Sequence, residues 1–317
     1  MANCQKTGFR LVEKKLIYYI LAVAIIDIVL FSFVEARIDL KAFFISALII
    51  FSMICIGRIY RHYRTGGEDI AVTFIGTALL ITFSNFGAVA NYLLLGVAGQ
   101  PIDLYLAKMD LVIGFHWPTF MIEMQNFPLL SSILAFAYNI SLLLVILVLL
   151  VLGFSGKHDQ LYKFIFTLVI AATITIGFWT FFPSFGTTAI YTITPETQAL
   201  VNPVVGNDYG NILRSLNANQ IPLITPLNIQ GIVAFPSYHT IMALVCIYYG
   251  WSLVGWKYLF LITNILVIMA VPIHGGHHLV DLLGAFVVTC AVIYVVENLN
   301  LNSESSVSGN LGRPNNS

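Results

Sequence analysis

Long apolar runs recur along nearly the whole chain and limit it to a membrane fold. A transmembrane helix needs about 20 mainly apolar residues. Eight segments meet this requirement: 16–34, 41–57, 70–96, 129–153, 162–182, 237–254, 257–273 and 279–296. The runs lack the two-residue alternation of a membrane barrel, and backbone groups in lipid must be satisfied internally, so helices fit. The sequence therefore predicts an all-α integral membrane protein with about eight transmembrane helices.

Composition supports this class and excludes others. Hydrophobic residues make up 58% of the 317 and charged residues 9%, which is more apolar surface than one water-soluble core can bury. Lys plus Arg and Asp plus Glu each number 15, so no net charge favours nucleic acid as a partner. The four cysteines lack metal-type spacing, which argues against a zinc site or a disulfide framework. The predicted partner is the membrane, and no oligomeric state is predicted.

Two polar segments interrupt the apolar pattern. Residues 100–127 separate the third and fourth runs, and residues 184–235 form a longer stretch before the sixth. The longer stretch exceeds a simple connector and is interpreted as a lid over a site or as a large solvated loop. We divide the chain into N-terminal transmembrane helices (1–96), a catalytic membrane domain (97–298) and a tail (299–317) whose Asn-rich and Ser-rich composition predicts disorder.

Basic residues predict the orientation. With eight spans both termini lie on one side. Eleven basic residues fall on that side: Lys6, Arg10, Lys14, Lys15, Arg58, Arg61, Arg64, Lys157, Lys163, Lys257 and Arg313. The other four lie on the opposite side: Arg37, Lys41, Lys108 and Arg214. This bias predicts cytoplasmic termini and places both polar segments outside the cell or in a lumen.

Two windows combine residues that can do chemistry. Residues 231–240 read G-I-V-A-F-P-S-Y-H-T, and residues 272–284 read P-I-H-G-G-H-H-L-V-D-L-L-G. In the second window His277 and Asp281 are four residues apart, so they share one face on the opening turn of a helix. A carboxylate that holds one ring nitrogen leaves the other as a nucleophile. An isolated H-x-x-x-D pattern is more often a polar pair at a helix start.

The first window favours a catalytic role for His277 and Asp281 over a simple polar pair. Pro236 and Ser237 are typical of a helix beginning, where free backbone N–H groups favour a bound phosphate. His239 lies on the first turn and can protonate a leaving alkoxide. Ser237 alone is more readily explained as an N-cap. Together the windows supply a nucleophile, its orienting acid, a general acid and an anion site, as metal-free phosphoryl transfer requires.

These windows resemble the second and third signature motifs of the type 2 phosphatidic acid phosphatase superfamily. The motifs are F-P-S-Y-H at 235–239 and H-G-G-H-H-L-V-D at 274–281. L-R-S-L-N at 213–217 and D-L-Y-L-A-K-M-D-L-V-I-G-F-H-W at 103–117 are similar to the inositolphosphorylceramide synthase-like branch. The resemblance covers about the last two thirds of the chain. It implies a helical catalytic bundle there, acting on a lipid phosphate or phospholipid substrate.

The resemblance also implies roles for individual residues. His277 matches the nucleophile that becomes phosphohistidine, Asp281 its partner, His239 the general acid and Ser237 a phosphate ligand. No metal and no cofactor is implied. The family's first motif, a lysine and an arginine that clamp phosphate, has no counterpart here, and Val271 stands where an arginine usually precedes the nucleophile.

Other groups must then meet the phosphate charge. The sequence offers Arg214, the N-terminus of the sixth span, His274 and His278, and we predict phosphate binding by these groups. The family often has tyrosine at the position of His278, which weakens any role assigned to it.

Alternative functions remain at this stage. A phosphohistidine resolved by water gives a phosphatase, and one resolved by an alcohol gives a phosphotransferase or an inositolphosphorylceramide synthase-like head-group transferase. The H-x-x-H-H pattern also occurs in membrane di-iron oxidases, but those need several histidine boxes, whereas this chain has seven histidines and no second box. A transporter would require more charges within the spans, where Asp27 is the main one.

Overall fold

A computed structural model describes residues 9–207, 209, 223–226, 232–299 and 301. Within these residues the chain forms twelve α-helices, and no strand is assigned. The helices are α1 Leu11–Phe31, α2 Leu40–Tyr63, α3 Glu68–Leu94, α4 Asp103–Val112, α5 Trp117–Met124, α6 Pro128–Asn139, α7 Ser141–Phe154, α8 His158–Phe181, α9 Pro195–Val201, α10 Tyr238–Gly250, α11 Lys257–His274 and α12 Leu279–Asn298. The all-α prediction is confirmed.

Among the described residues, five helices are long and apolar enough to cross a membrane: α2, α3, α8, α11 and α12. The pair α5 and α6, bent by 114°, would be a sixth span if it is counted as one broken helix. The chain is thus consistent with a multi-pass membrane protein. Each of the eight predicted segments overlaps a helix. The first of them, α1, is not among the five, and it carries four charged residues: Glu13, Lys14, Lys15 and Asp27.

Two predicted spans differ in form from the helices observed. The segment 129–153 is divided between α6 and α7 at Ile140, whose backbone leaves helical geometry at φ −89° and ψ 1°. The segment 237–254 contains only the 13-residue helix α10, which ends at Gly250. A turn follows, in which Trp256 N–H bonds the Leu253 carbonyl. Hydropathy alone does not detect either break, because the polar residues there, Asn139, Ser141 and Ser252, lie within longer apolar runs.

Seven of the described helices share one apolar core. Buried side chains of α1, α3, α7, α8, α10, α11 and α12 pack in a continuous cluster. At Gly153 of α7 an added Cβ would lie 2.0 Å from Thr73 Oγ1 of α3, so this close helix approach requires glycine. By contrast, α2 packs against α3 and exposes Phe44, Leu48 and Phe51. Such an apolar outer face is the kind that faces lipid.

A buried ionic cluster joins the helices at one end of the bundle. Arg61 of α2 donates to Glu13 of α1 at 2.8 and 2.9 Å, and the Tyr162 hydroxyl of α8 also donates to Glu13. Glu68, at the start of α3, pairs with Arg61 at 3.0 Å and with Arg10 at 2.8 Å. The cluster therefore ties α1, α2 and α3 to α8. It lies at the opposite end of these helices from both histidine windows.

The polar segments lie near the other end. Residues 100–127 contain α4 and α5, and residues 184–235 contain α9. The part of the second segment that carries Arg214 lies outside the described residues, as does the predicted disordered tail except for residues 299 and 301.

Candidate active site

The connection between α11 and α12 holds the second window in place. Gly276 has φ +62°, and its carbonyl accepts a hydrogen bond from Thr187 N–H at 2.7 Å. Gly186, with φ +87°, approaches so closely that an added Cβ would lie 2.3 Å from the Gly276 oxygen. Both glycines are therefore required by the backbone. The loop after α8 thus packs directly on the four residues that precede α12.

His277 and Asp281 form the contact that their spacing predicts. His277 Nδ1 lies 3.0 Å from Asp281 Oδ2, and both side chains are buried. The same carboxylate oxygen accepts the backbone N–H of His278 at 3.0 Å, which fixes its position at the start of α12. Asp281 thereby holds one ring nitrogen of His277, and Nε2 is the nitrogen left for chemistry.

Burial changes the protonation of His277. Loss of hydration on burial and the charge of the neighbouring His278 together lower the pKa of His277 to about 4, although a hydrogen bond with the Ala234 backbone acts in the opposite direction. Below this pKa a proton occupies the ring's free lone pair, and above it the ring is neutral. His277 is therefore neutral at pH 7, which is the form a nucleophile needs.

His239 lies on the first turn of α10 and faces His277. Their ring centroids are 6.4 Å apart, and the His239 ring stacks on Tyr138 with centroids 4.5 Å apart. The backbone joins the two windows, because Ser237 N–H donates to the Asp281 carbonyl at 3.2 Å. Stacking on Tyr138 thus holds the His239 ring, and the backbone hydrogen bond from Ser237 holds the start of α10 beside that of α12.

Ser237 is the N-cap of α10. Its hydroxyl accepts from Thr240 N–H at 3.4 Å and from the Thr240 hydroxyl at 3.2 Å, and the residue is fully buried. The hydroxyl is therefore engaged within its own helix turn. Its assignment as a phosphate ligand stays a prediction.

A cavity of about 410 Å³ opens beside the two histidines. It is bounded by α3, α8, the start of α10 and the chain around residues 204–205 and 232–234. Its lining residues are Phe83, Ser84, Gly87, Ala88, Asn91, Tyr138, Ala172, Thr175, Ile176, Phe185, Val204, Val205, Tyr209, Ile232, Val233, Ala234, Tyr238, His239, Gly275 and His277. Most of these side chains are apolar, and among the described residues the lining contains no lysine or arginine.

The structure adds two carboxylates to the site, Asp103 and Asp110, to which the sequence had given no role in it. His278 Nδ1 lies 3.0 Å from Asp110 Oδ2, and His278 Nε2 lies 4.0 Å from Asp103 Oδ1, which is an ionic contact too long for a hydrogen bond. Both acids belong to α4. They are seven residues apart, or about two helical turns, and therefore share a face. This D-x6-D spacing is the sequence feature that could have indicated a shared role for the two acids.

Each carboxylate also anchors backbone. Asp110 accepts the N–H groups of Leu279 and Val280 at 3.2 and 3.0 Å, so it caps the start of α12. Asp103 accepts the Ser184 hydroxyl at 2.8 Å and the N–H groups of Phe185 and Gly186 at 2.9 and 2.8 Å. The helix α4 therefore fixes both the α12 start and the loop after α8.

The surrounding acids set the charge of His278. Burial lowers the pKa of His278, but the hydrogen bond to Asp110 and the charges of Asp281, Asp110 and Asp103 outweigh this and raise the pKa above its ordinary value. For Asp103, burial raises the pKa despite its hydrogen bonds. The surrounding acids thus favour the protonated form of His278, which lies directly behind His277.

The remaining predicted phosphate ligands do not line the cavity. His274 is fully buried, with Nε2 3.5 Å from Ser131 Oγ, and His278 lies between the two acids of α4. Arg214 lies outside the described residues. The three histidines of the H-x-x-H-H pattern contact three different partners: Ser131, Asp281 and Asp110. In the described part of the chain no cluster of three or more His, Cys, Asp or Glu has a metal-site arrangement.

Comparison with known proteins adds one match. A family model described as the PAP2 superfamily matches residues 104–295, about three fifths of the chain. The matched region contains His239, His277 and Asp281 and leaves α1, α2 and α3 outside. No curated protein and no solved structure gave a significant match.

Proposed function

Because the chain belongs to the PAP2 superfamily, whose members are generally phosphatases, we propose that it is a membrane-embedded lipid phosphatase or phosphotransferase that forms a phosphohistidine on His277. One observation carries this proposal: His277, oriented by Asp281 at 3.0 Å, lines a largely apolar cavity together with His239. The cavity volume of about 410 Å³ lies in the range of small-ligand sites.

The first chemical step breaks the phosphoester of the lipid. Nε2 of neutral His277 attacks phosphorus, a P–N bond forms, and the bond between phosphorus and the lipid oxygen breaks. Burial lowers the pKa of His239 to about 3, so its ring takes up a proton from the phosphate monoanion of the bound substrate and passes it to the departing oxygen, which leaves as an alcohol. Asp281 stabilises the positive charge that develops on the His277 ring, as the orienting acid does in a serine triad.

The second step returns His277 to its starting form. Water or an alcohol attacks phosphorus, His239 takes the proton from the attacking oxygen, and the P–N bond breaks. Water as acceptor gives inorganic phosphate, and an alcohol gives a new phosphoester. Neither step in this scheme uses a metal ion.

The phosphate charge needs a binding site in this scheme. The N-terminus of α10, where Tyr238 and His239 line the cavity, offers backbone N–H groups and the positive end of the helix dipole. Arg214, in the segment that follows α9, is the basic residue that we propose as a further phosphate ligand. We place this end on the outer or lumenal side, because the ionic cluster with Arg10 and Arg61 lies at the other end of the bundle.

A head-group transferase of the inositolphosphorylceramide synthase-like branch is the second candidate. It is favoured by Asp103 and Asp110, since the segment 103–117 that resembles this branch packs behind the nucleophile through His278. Such an enzyme would use a diester donor and an alcohol acceptor in the same two steps.

Phosphate release tests the proposal. Detergent-purified protein is given phosphatidic acid, a polyprenyl phosphate or a sphingoid phosphate in the presence of a chelator. Wild type is compared with His277→Ala and with a control, His116→Ala, which changes an exposed histidine. We expect release by wild type and by the control, and none by His277→Ala. Release that survives in His277→Ala would contradict the proposal, whereas transfer from a diester without phosphate release would select the second candidate.

A further inference from the structure

One wall of the cavity comes from outside the region that matches the family. Phe83, Gly87 and Asn91 are spaced by four residues on α3, so they lie along one face of this helix, and all three line the cavity. The family match begins at residue 104. This wall is therefore a feature of this chain in addition to the family's motifs.

Asn91 presents an unsatisfied acceptor on this wall. It is 8% exposed, and its Oδ1 has no hydrogen-bond partner among the described residues. Buried polar atoms in native proteins are nearly always paired, and each exception calls for an explanation. Because Oδ1 is a carbonyl oxygen, a ligand that satisfies it must offer an O–H or N–H donor.

Thr175 of α8 supplies a second unpaired group in the same cavity. It is 1% exposed, and its hydroxyl also has no partner in the described part of the chain. Two other threonines of α8 behave differently: Thr173 and Thr180 donate to the carbonyls of Val169 and Ile176, four residues earlier, both at 2.9 Å. The Thr175 hydroxyl is thus left available to a ligand, as donor or acceptor.

The wall also extends into the bundle. Asn91 lies in the last turn of α3, at the same end as the histidines, and Phe83 lies eight residues earlier, about 12 Å deeper at 1.5 Å per residue. Between them the lining is small and mostly apolar, with Gly87 and Ala88 on α3 and Ala172 on α8, and the Ser84 hydroxyl donates to the Leu80 carbonyl of its own helix. This lining suits the hydrocarbon chain of a lipid.

We propose that Asn91 and Thr175 form a lipid-backbone subsite that binds a hydroxyl or amide N–H close to the phosphoester of the substrate, with the hydrocarbon chain running toward Phe83. The inference rests on the proposed function and names its substrate class. A lipid with a free hydroxyl or amide near its phosphate satisfies the Asn91 acceptor. A fully esterified diacyl lipid presents only ester oxygens there and leaves this acceptor unpaired, so the subsite selects against it.

A pair of lipids that differ only in the donor tests the subsite. Phosphate release is measured for a lysophosphatidic acid with its free hydroxyl and for its O-methyl ether. Loss of one buried hydrogen bond predicts about a tenfold lower kcat/KM for the ether in wild type. Asn91→Leu and Thr175→Val should reduce this preference toward equality by lowering turnover of the free-hydroxyl lipid.

Matched controls lie on the same helices. Asn85 of α3 donates to Ser46 at 2.7 Å, and Thr173 donates to its own helix. Asn85→Leu and Thr173→Val should therefore keep the wild-type preference. Equal kcat/KM for both lipids in wild type, or a preference that survives both Asn91→Leu and Thr175→Val, would overturn the subsite.

A binding measurement separates the subsite from the chemistry. His277→Ala is titrated with the same two lipids in mixed micelles, with thermal stabilisation as the readout, alone and combined with Asn91→Leu. Tighter binding of the free-hydroxyl lipid that is lost on adding Asn91→Leu supports the subsite, even if wild type releases no phosphate and the proposed hydrolysis fails. Equal binding of the two lipids by His277→Ala contradicts the subsite, even if wild type is active.

Discussion

Nδ1 of His278 lies 3.0 Å from Oδ2 of Asp110, across 168 residues of chain. This contact fastens α4 to the turn that carries His277. Asp110 also caps the start of α12, so one carboxylate positions both His278 and the backbone next to Asp281.

Asp110→Asn should lower kcat without a matching rise in KM. The substitution keeps the shape but removes the charge that stabilises protonated His278. A hydrogen bond to a charged group contributes about 1.5–3 kcal/mol, which corresponds to roughly a tenfold to hundredfold loss of rate if it acts in the transition state. Steady-state kinetics check this, with Glu123→Gln, which changes an exposed acid, as control. An equal loss in both variants, or a change confined to KM, would argue against a positioning role.

His239→Ala should show a loss that depends on the leaving group. A general acid contributes about 10² to 10⁴ in rate when the departing alkoxide is a poor leaving group. Lipid phosphates should therefore suffer a large loss. An aryl phosphate, whose phenolate departs without a proton, should suffer a smaller loss in phosphoenzyme formation. Rates for both substrate types are measured in wild type and variant, and equal losses would contradict the assignment of His239 as the acid.

The pH dependence should reflect the lowered pKa of His277. Protonation removes the nucleophilic lone pair, so activity should be lost as pH falls through about 4, whereas an unperturbed histidine would lose it near 6.5. A pH profile of kcat/KM checks this. Each value is first divided by the fraction of the lipid phosphate that is in its reactive ionisation state, because the phosphate itself ionises near pH 6. An acid limb that remains near 6.5 would show that His277 is not buried as a neutral ring.

Arg61→Met should destabilise the bundle at the end away from the site. It leaves Glu13 buried without its main partner, and breaking a buried pair typically costs about 3–5 kcal/mol. The thermal midpoint in detergent should fall clearly, while the exposed control Arg64→Met should stay close to wild type. An unchanged midpoint for Arg61→Met would mean that this cluster does not hold the N-terminal helices to α8.

Local chemistry in the site was predictable from the sequence, and long-range chemistry was not. His277 and Asp281 are four residues apart, so helix geometry alone brings them together. Asp110 meets His278 only because α4 packs on the start of α12, and no local pattern encodes that contact. The D-x6-D spacing places Asp103 and Asp110 on one face, but their partners lie far along the chain.

The same distinction applies to the fold. Apolar runs predicted where helices lie, because lipid requires internally satisfied backbone. They did not reveal the break at Ile140 or the short α10, since the few polar residues there, such as Asn139, Ser141 and Ser252, leave the surrounding run apolar on average. The sequence also did not predict that α3 lines the cavity. Asn91 is a polar residue in a mainly apolar run, and only the packing of the bundle brings it to the same cavity as Thr175.

Trapping the covalent intermediate is the most direct test of whether His277 is the nucleophile. Protein is mixed with a lipid phosphate labelled with ³²P, quenched in alkali, where phosphohistidine is stable, and digested to map the label. We expect acid-labile label on the peptide that contains His277, and none in His277→Ala. Label on a different residue, or wild-type turnover with no labelled protein at any time after mixing, would contradict it.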